Sequence, residues 1–297
     1  MNQALREEMI RDSGVFIAGE GVGVSIHDSP MLPTHGLLAE FGPKRVKDTP
    51  VSEAAIAGLA VGAAEAGLKP VVEIMFNPFL TLASDMIVNH AAKLRYLSGG
   101  KSSFPLVVRM KSGAGFGAGC QHSHNLEAWV AHCPGLKVVM PSTPADAKGL
   151  LKSAIRDPNP VVFIEDMMLY FAPGPVPEGE YLIPIGQADL KRAGRDVTVV
   201  TWSKMLGVAL GAAETLAAEG IEAESLLEVE RPERHVDVME GEQALLNVAP
   251  DAELARAAEQ DADAPLVEVA EELRPLRFLR VVVDERDFVR GDAPRDE

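Results

Sequence analysis

Short apolar runs alternate with amphipathic segments along the first two thirds of the chain, and this alternation constrains the fold more than any other feature. The apolar runs have the length of buried strands and occur at 14–19, 70–76, 105–109, 136–140 and 161–165. The short segment 45–47 is predicted as a further strand, which leads into the loop before Glu53. Segments with a helical pattern lie between these strands, at 2–11, 37–41, 54–67, 80–97, 125–132 and 144–156. The order is typical of an α/β protein, a parallel sheet with helices on both faces.

A stretch rich in Pro and Gly at 172–180 interrupts this pattern and indicates a linker. A second, smaller α/β unit begins beyond it, with a strand at 196–202 and a helix at 204–219. The predicted boundaries are a first domain at 1–171, a linker at 172–187 and a C-terminal domain at 188–297. The C-terminal domain is partly atypical, because its pattern decays after residue 224. Residues 221–297 hold 22 acidic residues and nine Arg but no Lys.

Composition excludes several classes of protein. A net charge of −16 over 297 residues argues against binding nucleic acid. No run of about 18 residues is apolar and free of charge, so we expect no membrane span. The first residues are polar and helical in pattern, unlike a signal peptide. With only Cys120 and Cys133 as cysteines, we expect a reducing, cytoplasmic location.

Glu53 is the one ionisable residue at the start of a helix composed almost entirely of Ala, Gly, Val, Ile and Leu. Such a helix is too apolar to be exposed to solvent on all sides. Its small residues Gly58, Gly62 and Ala66 recur every four positions, where another backbone could approach closely. Because Gly costs roughly 1 kcal/mol per helical position relative to Ala, close packing is the expected reason for it.

Two interpretations of Glu53 stay open at this point. Apolar surroundings favour the neutral acid, which can donate a hydrogen bond to a heterocyclic nitrogen. Alternatively, Glu53 only stabilises the helix N-terminus through the helix dipole. Glu20 is a second candidate acid, since it follows the strand at 14–19 directly, at the edge where parallel sheets bind ligands.

A glycine run at 113–119 precedes His122 and His124. Its spacing differs from the G-x-G-x-x-G of dinucleotide loops, so we expect its glycines to let a backbone approach a ligand or partner. The histidines lack a suitable third metal ligand nearby, which favours a proton-donor role for His122. Phe79, just after the strand at 70–76, is either a core residue or a ring that stacks on a flat ligand.

Several motifs in a fixed order carry a resemblance to a known family. They are DTPVSEAAIAG, AGLKPVVEIMFNPF, NHAAKLRYLSGG, PLVVR, CQHSH, CPGLKVVMPSTPADAKGLLKSAIRDPNPVVF and PVPEGEY. From about residue 2 to 224 the chain resembles the beta subunit of the decarboxylase component of 2-oxoacid dehydrogenases. This resemblance implies a transketolase-like, pyrimidine-binding fold. It also implies oxidative decarboxylation of a 2-oxoacid, pyruvate first, with acyl transfer to lipoamide; acetoin dehydrogenase is the nearest alternative.

The resemblance also implies particular roles. Thiamine diphosphate would bind between this chain and an alpha subunit, with Glu53 hydrogen-bonded to the aminopyrimidine ring and Phe79 packed on it. Glu20 would be a second active-site acid, and His122 would steer the intermediate and acyl transfer. The potassium site of the family, largely backbone oxygens suited to a hard cation, matches Leu106, Ala154, Ile155, Asp157 and Asn159.

Partners follow from the resemblance as well. The diphosphate and magnesium motif of the family, Gly-Asp-Gly followed by paired Asn, belongs to the alpha subunit, and this sequence contains no Gly-Asp-Gly. The chain would thus be inactive alone and would form an alpha2beta2 heterotetramer. A lipoyl domain and the dihydrolipoamide acyltransferase core would be further partners. Residues 225–297 depart from the family pattern, which leaves open a non-catalytic subunit with a defective C-terminal domain.

Overall fold

The computed structural model describes residues 1–23 and 32–227. Within them, six parallel strands form the main sheet, in the order β2-β1-β3-β4-β6-β5. The strands are β1 (Val15–Gly19), β2 (Val46–Asp48), β3 (Lys69–Phe76), β4 (Leu106–Ser112), β5 (Lys137–Val139) and β6 (Pro160–Asp166). Nearly all residues of the four central strands are buried, as expected for a sheet covered on both faces.

One face of the sheet packs against four helices. They are α3 (Glu53–Glu65), α4 (Leu80–Ser84), α5 (Ala92–Leu97) and α6 (Glu127–Ala131). Alternate strand residues such as Val72, Val108 and Val162 form a buried cluster there with Ile56 and Ile87. The predicted helix at 80–97 is continuous, but Asp85–Ala91 winds as a π-helix between α4 and α5. A period of about 3.6 in the sequence does not reveal such a local widening.

The opposite face packs against α1 (Asn2–Arg11), α2 (Leu37–Phe41) and α7 (Pro144–Arg156). Val71, Val107 and Phe163 point to this side, because neighbouring residues of a strand face opposite ways. Thr143 and Asp146 form a capping box that begins α7. The predicted parallel sheet with helices on both faces is therefore confirmed.

Within the described residues of the single chain, no backbone approaches the small-residue face of α3 closely, so the expected close packing there stays a prediction. A Cβ at Gly62 would meet no atom within 4 Å, and one at Gly58 would meet only the side chain of Met86, at 3.8 Å. Ala54 and Leu59 on the same helix are exposed. In the single chain this apolar face of α3 is thus partly open to solvent.

The residues after the first sheet run along α7. Glu180 accepts hydrogen bonds from Lys152 and Arg156, and a Cβ at Gly149 would lie 2.7 Å from the side chain of Ile183. The absence of a side chain at Gly149 lets the chain cross the helix closely. The domain boundaries stay a prediction.

A second, smaller sheet follows, in the order β7-β9-β8. It comprises β7 (Asp189–Arg192), β8 (Val197–Thr201) and β9 (Ala223–Leu227), with helix α8 (Met205–Ala218) between the last two. β8 and β9 are parallel, whereas β7 pairs antiparallel with β9. The sequence did not predict β7, because it is a polar edge strand. The loss of the α/β pattern that the sequence predicts after residue 224 falls mostly on residues 228–297. These residues lie outside the described part of the chain.

No helix in residues 1–23 and 32–227 is both long and apolar enough to cross a membrane.

Candidate active site at the carboxyl edge of the sheet

The four predicted site residues all lie at the carboxyl edge of the main sheet. Glu20 follows β1, Glu53 begins α3, Phe79 follows β3, and His122 follows the glycine run after β4. In open parallel sheets this edge is where ligands bind. Glu53 acts electrostatically on Glu20 and raises its pKa, and the rings of Phe79 and His122 have centroids 5.3 Å apart.

Glu53 is only 6% exposed, although it is the first residue of its helix. Within the described residues its carboxyl group makes no side-chain hydrogen bond. A buried carboxyl group without a partner costs free energy. A purely structural residue at a helix start is normally hydrated, so its burial favours a bound partner over a dipole role alone. The charge state of Glu53 stays a prediction.

Glu20 is a second, half-buried acid at this edge. Its Oε1 atom is buried and has no hydrogen-bond partner in the described residues. Burial raises the pKa of Glu20, and the nearby carboxylates of Glu53 and Glu73 raise it further, while Lys111 acts in the opposite direction. Glu20 is therefore protonated at a higher pH than a free glutamate, as a proton donor requires.

The imidazole ring of His122 makes T-shaped contacts with two phenyl rings. The imidazole centroid is 4.7 Å from that of Phe76 and 5.3 Å from that of Phe79, with interplanar angles of 84° and 85°. A Cβ at Gly113 would lie 2.0 Å from the carbonyl oxygen of His122, so only glycine fits there. The first glycine of the run thus lets the loop fold back on itself and hold His122. The sequence did not single out Phe76.

Three neighbouring strands end in buried polar atoms that have no partner in the described residues. These are Thr49 Oγ1 after β2, Glu20 Oε1 after β1, and both amide atoms of the fully buried Asn77 after β3. Buried polar atoms are almost always hydrogen-bonded in native proteins. This edge therefore fits a polar heterocycle such as an aminopyrimidine. The sequence did not predict the participation of Thr49 or Asn77.

A network of buried charges lies at the same end of the sheet. Arg109 donates to Glu165 at 2.6 and 2.9 Å and to Glu73 at 2.9 Å. Lys111 Nζ donates to Glu73 Oε1 at 2.6 Å. Burial alone would raise the pKa of Glu73, but the charges of Arg109 and Lys111 outweigh it and hold that pKa below its usual value. The sequence analysis did not predict this network. The pattern that could have revealed it is the occurrence of charged residues inside otherwise apolar strands.

The residues matched to a potassium site gather around the end of α7 and the starts of β4 and β6. They are Leu106, Ala154, Ile155, Asp157 and Asn159. The carboxylate of Asp157 accepts hydrogen bonds from Lys137 Nζ at 2.8 Å and from the backbone N–H of Asn159 at 2.9 Å. Since Lys137 already neutralises Asp157, any cation here would depend on backbone oxygens, which suits a monovalent ion. In the described part of the chain, no three His, Cys, Asp or Glu side chains form a metal cluster.

Comparison with known proteins defines the class. Residues 1–172 match the model of the transketolase pyrimidine binding domain, and residues 186–226 match that of the transketolase C-terminal domain. The chain therefore belongs to the family of proteins with a transketolase pyrimidine-binding domain. The structure of a split gene transketolase, described as an inactive beta4 tetramer, shares the fold, with a TM-score of 0.62 at 21% identity. That likeness covers 77% of this chain and 69% of the other.

Two relatives within this family are beta subunits of larger enzymes. The chain is 51% identical over 228 residues to the mitochondrial pyruvate dehydrogenase E1 component subunit beta-1 of Arabidopsis thaliana, covering 75% of this chain and 62% of that protein. It is 49% identical over 232 residues to the acetoin:2,6-dichlorophenolindophenol oxidoreductase subunit beta of Cupriavidus necator, covering 75% and 68%. The matched part of the chain thus spans about six tenths of the length of the plant relative.

Proposed function

We propose that this chain is the beta subunit of a thiamine diphosphate-dependent 2-oxoacid dehydrogenase that acts on pyruvate and transfers the acyl group to lipoamide. The observation that carries the proposal is the burial of Glu53, without a hydrogen-bond partner in the described residues, at the carboxyl edge of the sheet. Glu20, Phe79 and His122 lie at the same edge. The relatedness to pyruvate dehydrogenase beta subunits supports the choice of substrate.

The side chains of this edge have complementary roles in that reaction. When bound, thiamine diphosphate would supply a nucleophilic carbon and an electron sink for decarboxylation. Glu53 would hold a proton against a ring nitrogen of the pyrimidine, and Phe79 would pack on the ring. Glu20, whose pKa is raised, would hold a second proton, and His122 would orient the acyl group during transfer.

The proposed partner is an alpha subunit that holds the diphosphate and the magnesium ion, in an alpha2beta2 heterotetramer. The partly exposed apolar face of α3 supports this, together with large exposed side chains on the same side of the sheet, namely Leu59, Leu82, Tyr96 and Trp129. Co-expression with an alpha subunit followed by size-exclusion chromatography tests it. A stable heterotetramer is the expected result, and a chain that stays monomeric indicates a non-catalytic subunit instead. A lipoyl domain and the acyltransferase core would bind the assembled enzyme.

A potassium ion at the end of α7 is part of the proposal. Leu106, Ala154, Ile155, Asp157 and Asn159 would hold it, mainly through backbone oxygens. Thermal unfolding of the full chain in potassium, sodium and tetramethylammonium chloride at equal ionic strength tests this. We expect potassium alone to raise the melting temperature; equal values in all three salts would contradict the site.

The cytoplasm is the proposed location. Cys120 and Cys133 are both free thiols, which suits a reducing compartment. Fractionation of the native cells with an antibody against the chain checks this, and enrichment in an organelle or membrane fraction would contradict it.

Acetoin cleavage is the second candidate, because the Cupriavidus necator relative acts in acetoin oxidation according to its name. The same site would serve both reactions. Turnover of the purified alpha–beta pair with pyruvate, a branched-chain 2-oxoacid and acetoin separates the candidates. We expect the highest kcat/KM with pyruvate, and a clear preference for acetoin would select the alternative.

The role of Glu53 is tested by Glu53→Gln in the same alpha–beta pair. Loss of a positioned proton donor lowers turnover by about 10²–10⁴-fold. Glu65→Gln is a matched control, since Glu65 is exposed at the other end of the same helix. The affinity for thiamine diphosphate, measured by calorimetry, gives a readout independent of turnover. Full turnover in Glu53→Gln, or an equal loss in Glu65→Gln, would refute the assigned role.

A further inference from the structure

Lys204 joins the C-terminal unit, formed by β7, β8, β9 and α8, to the glycine run that precedes His122. It lies between β8 and α8. Its Nζ donates a hydrogen bond of 2.8 Å to the carbonyl oxygen of Ala114 and lies 3.7 Å from Asp166 Oδ2. A Cβ at Gly115 would lie 3.6 Å from the same nitrogen. One lysine of the C-terminal unit therefore contacts the chain where β4 and β6 end.

These two strand ends are neighbours at the carboxyl edge of the main sheet. Ser112 and Asp166, the last residues of β4 and β6, are register partners. Asp166 is buried, and its Oδ1 accepts a hydrogen bond of 2.8 Å from the backbone N–H of Met168. Hydrogen bonds from an ammonium group are stronger than those between neutral groups. Lys204 thus ties the start of the glycine run to a carboxylate whose position is already held.

The backbone just before Lys204 is strained. Ser203 is buried, and it is the one residue other than glycine with a positive φ, 54°, in the described ranges 1–23 and 32–227. Trp202 packs against both buried clusters of the main sheet, and Leu206 belongs to one of them. A strained residue persists only where its surroundings hold it, and such residues are concentrated at active sites. The packing of Trp202 and Leu206 therefore holds this segment against the main sheet, with Lys204 at the glycine run.

The glycine run needs such an anchor. Residues 115–121 are exposed, and three glycines within them have a φ of 83°, so this stretch is not rigid by itself. Ala114, which Lys204 binds, is the last buried residue before the exposed stretch. The chain returns at His122, whose carbonyl oxygen lies against Gly113. The loop thus leaves and returns at one place, and Lys204 is bound at that place.

We propose that Lys204 is a positioning residue of the active site, which anchors the glycine run and so keeps the imidazole ring of His122 against the two phenyl rings that it contacts. The inference rests on the proposed function for its catalytic consequence, because there His122 orients the acyl group. A neutral side chain at position 204 would release both strand ends. The start of the glycine run would then move, and His122 would move with it.

The first test needs no catalysis. Histidine rings of the full chain are labelled with ¹³C, and His122→Gln identifies the ring signals of His122 by NMR. The ring currents of the two phenyl rings displace these signals from the position of a free histidine. We expect Lys204→Met to move the signals toward that position. Lys204→Arg should leave them displaced, because it keeps the charge and the hydrogen-bond donors.

Lys191→Met is a matched control. Lys191 also belongs to the C-terminal unit, its side chain is 21% exposed like that of Lys204, and it pairs with Asp189 and with Asp146 of α7. It joins the same two parts of the molecule through α7 instead of the glycine run. Its replacement should leave the signals of His122 in place.

A second variant covers the case in which Lys204→Met does not fold. Lys204→Gln then takes its place, with a side chain that is uncharged and one bond shorter. Unmoved signals of His122 in the folded variant overturn the inference. Equal movement in Lys204→Arg or in Lys191→Met overturns it as well.

The second test uses the alpha–beta pair and compares two electron acceptors. With lipoamide the acyl group must be transferred, whereas a redox dye takes up the electrons of the oxidation directly. Lys204→Met should lower the lipoamide-dependent kcat by about 10²-fold, the cost of displacing a reacting group by about 1 Å, and the dye-dependent kcat much less. Equal losses in both assays show that Lys204 is not a positioning residue. An inactive wild-type pair refutes the proposed function but leaves the NMR result for Lys204 standing.

Discussion

Replacement of Arg109 by Met tests the buried charge network that underlies the site. Arg109 is 1% exposed and is held between two carboxylates, with donor–acceptor distances of 2.6 and 2.9 Å to Glu165 and 2.9 Å to Glu73. Met has a similar volume and no charge, so the substitution removes the cation with little loss of packing. Lys111 continues to neutralise Glu73. Glu165 is left with the hydroxyl group of Tyr170 as its donor.

The expected loss of stability follows from leaving a buried charge without its counter-ion. Removal of one member of such a pair costs about 3–5 kcal/mol of the free energy of unfolding. The double variant Arg109→Met with Glu165→Met should be less destabilised than Arg109→Met alone, because it leaves no unpaired charge. As a surface control, Arg6→Met breaks only the exposed pair with Glu40 and should leave the midpoint of unfolding nearly unchanged.

Urea unfolding followed by circular dichroism measures these differences, at pH 7.5 and at pH 5. The folded-state pKa of Glu73 lies below its unfolded value in the wild type. The stability that this contributes is present above the unfolded pKa and is lost as pH falls through the folded pKa. Loss of Arg109 raises the folded pKa, so the deficit of the variant should shrink toward acid pH. A deficit below about 1 kcal/mol at pH 7.5, or one that grows on acidification, would refute the reasoning.

Three further predictions concern single positions. Glu20→Gln should raise the melting temperature at pH 7.5 but not at pH 4, because the raised pKa of Glu20 makes its ionisation in the fold unfavourable; a lower melting temperature at pH 7.5 would contradict this. Gly113→Ala should lower the melting temperature and the activity of the alpha–beta pair, since the added Cβ would clash with the carbonyl oxygen of His122. As a control, Gly207→Ala in α8, where a Cβ meets no atom within 4 Å, should raise the free energy of unfolding by up to about 1 kcal/mol. Thr143→Ala should cost about 1 kcal/mol in urea unfolding by removing the cap of α7, and an unchanged midpoint would count against it.

Much of the site could be predicted because its residues have local signals. Glu20 follows an apolar strand and Glu53 begins an apolar helix, so both positions at the carboxyl edge follow from the order of elements. Phe76 and Asn77 belong to the same edge but were missed. A strand-terminal Phe and an Asn before Pro78 have no local pattern that separates a site residue from an ordinary turn.

The sequence by itself determined the parallel sheet, the helices on both of its faces and the strand ends where an active site could form, because apolar periodicity and helix caps act over a few residues. Only the tertiary structure decided which charges meet. Arg109 and Glu165 are 56 residues apart in the chain, and their contact depends on the register of two strands. The tertiary structure also shows that one side of α3 is exposed. The sequence could not predict this, because the exposure of an apolar helix depends on what packs against it.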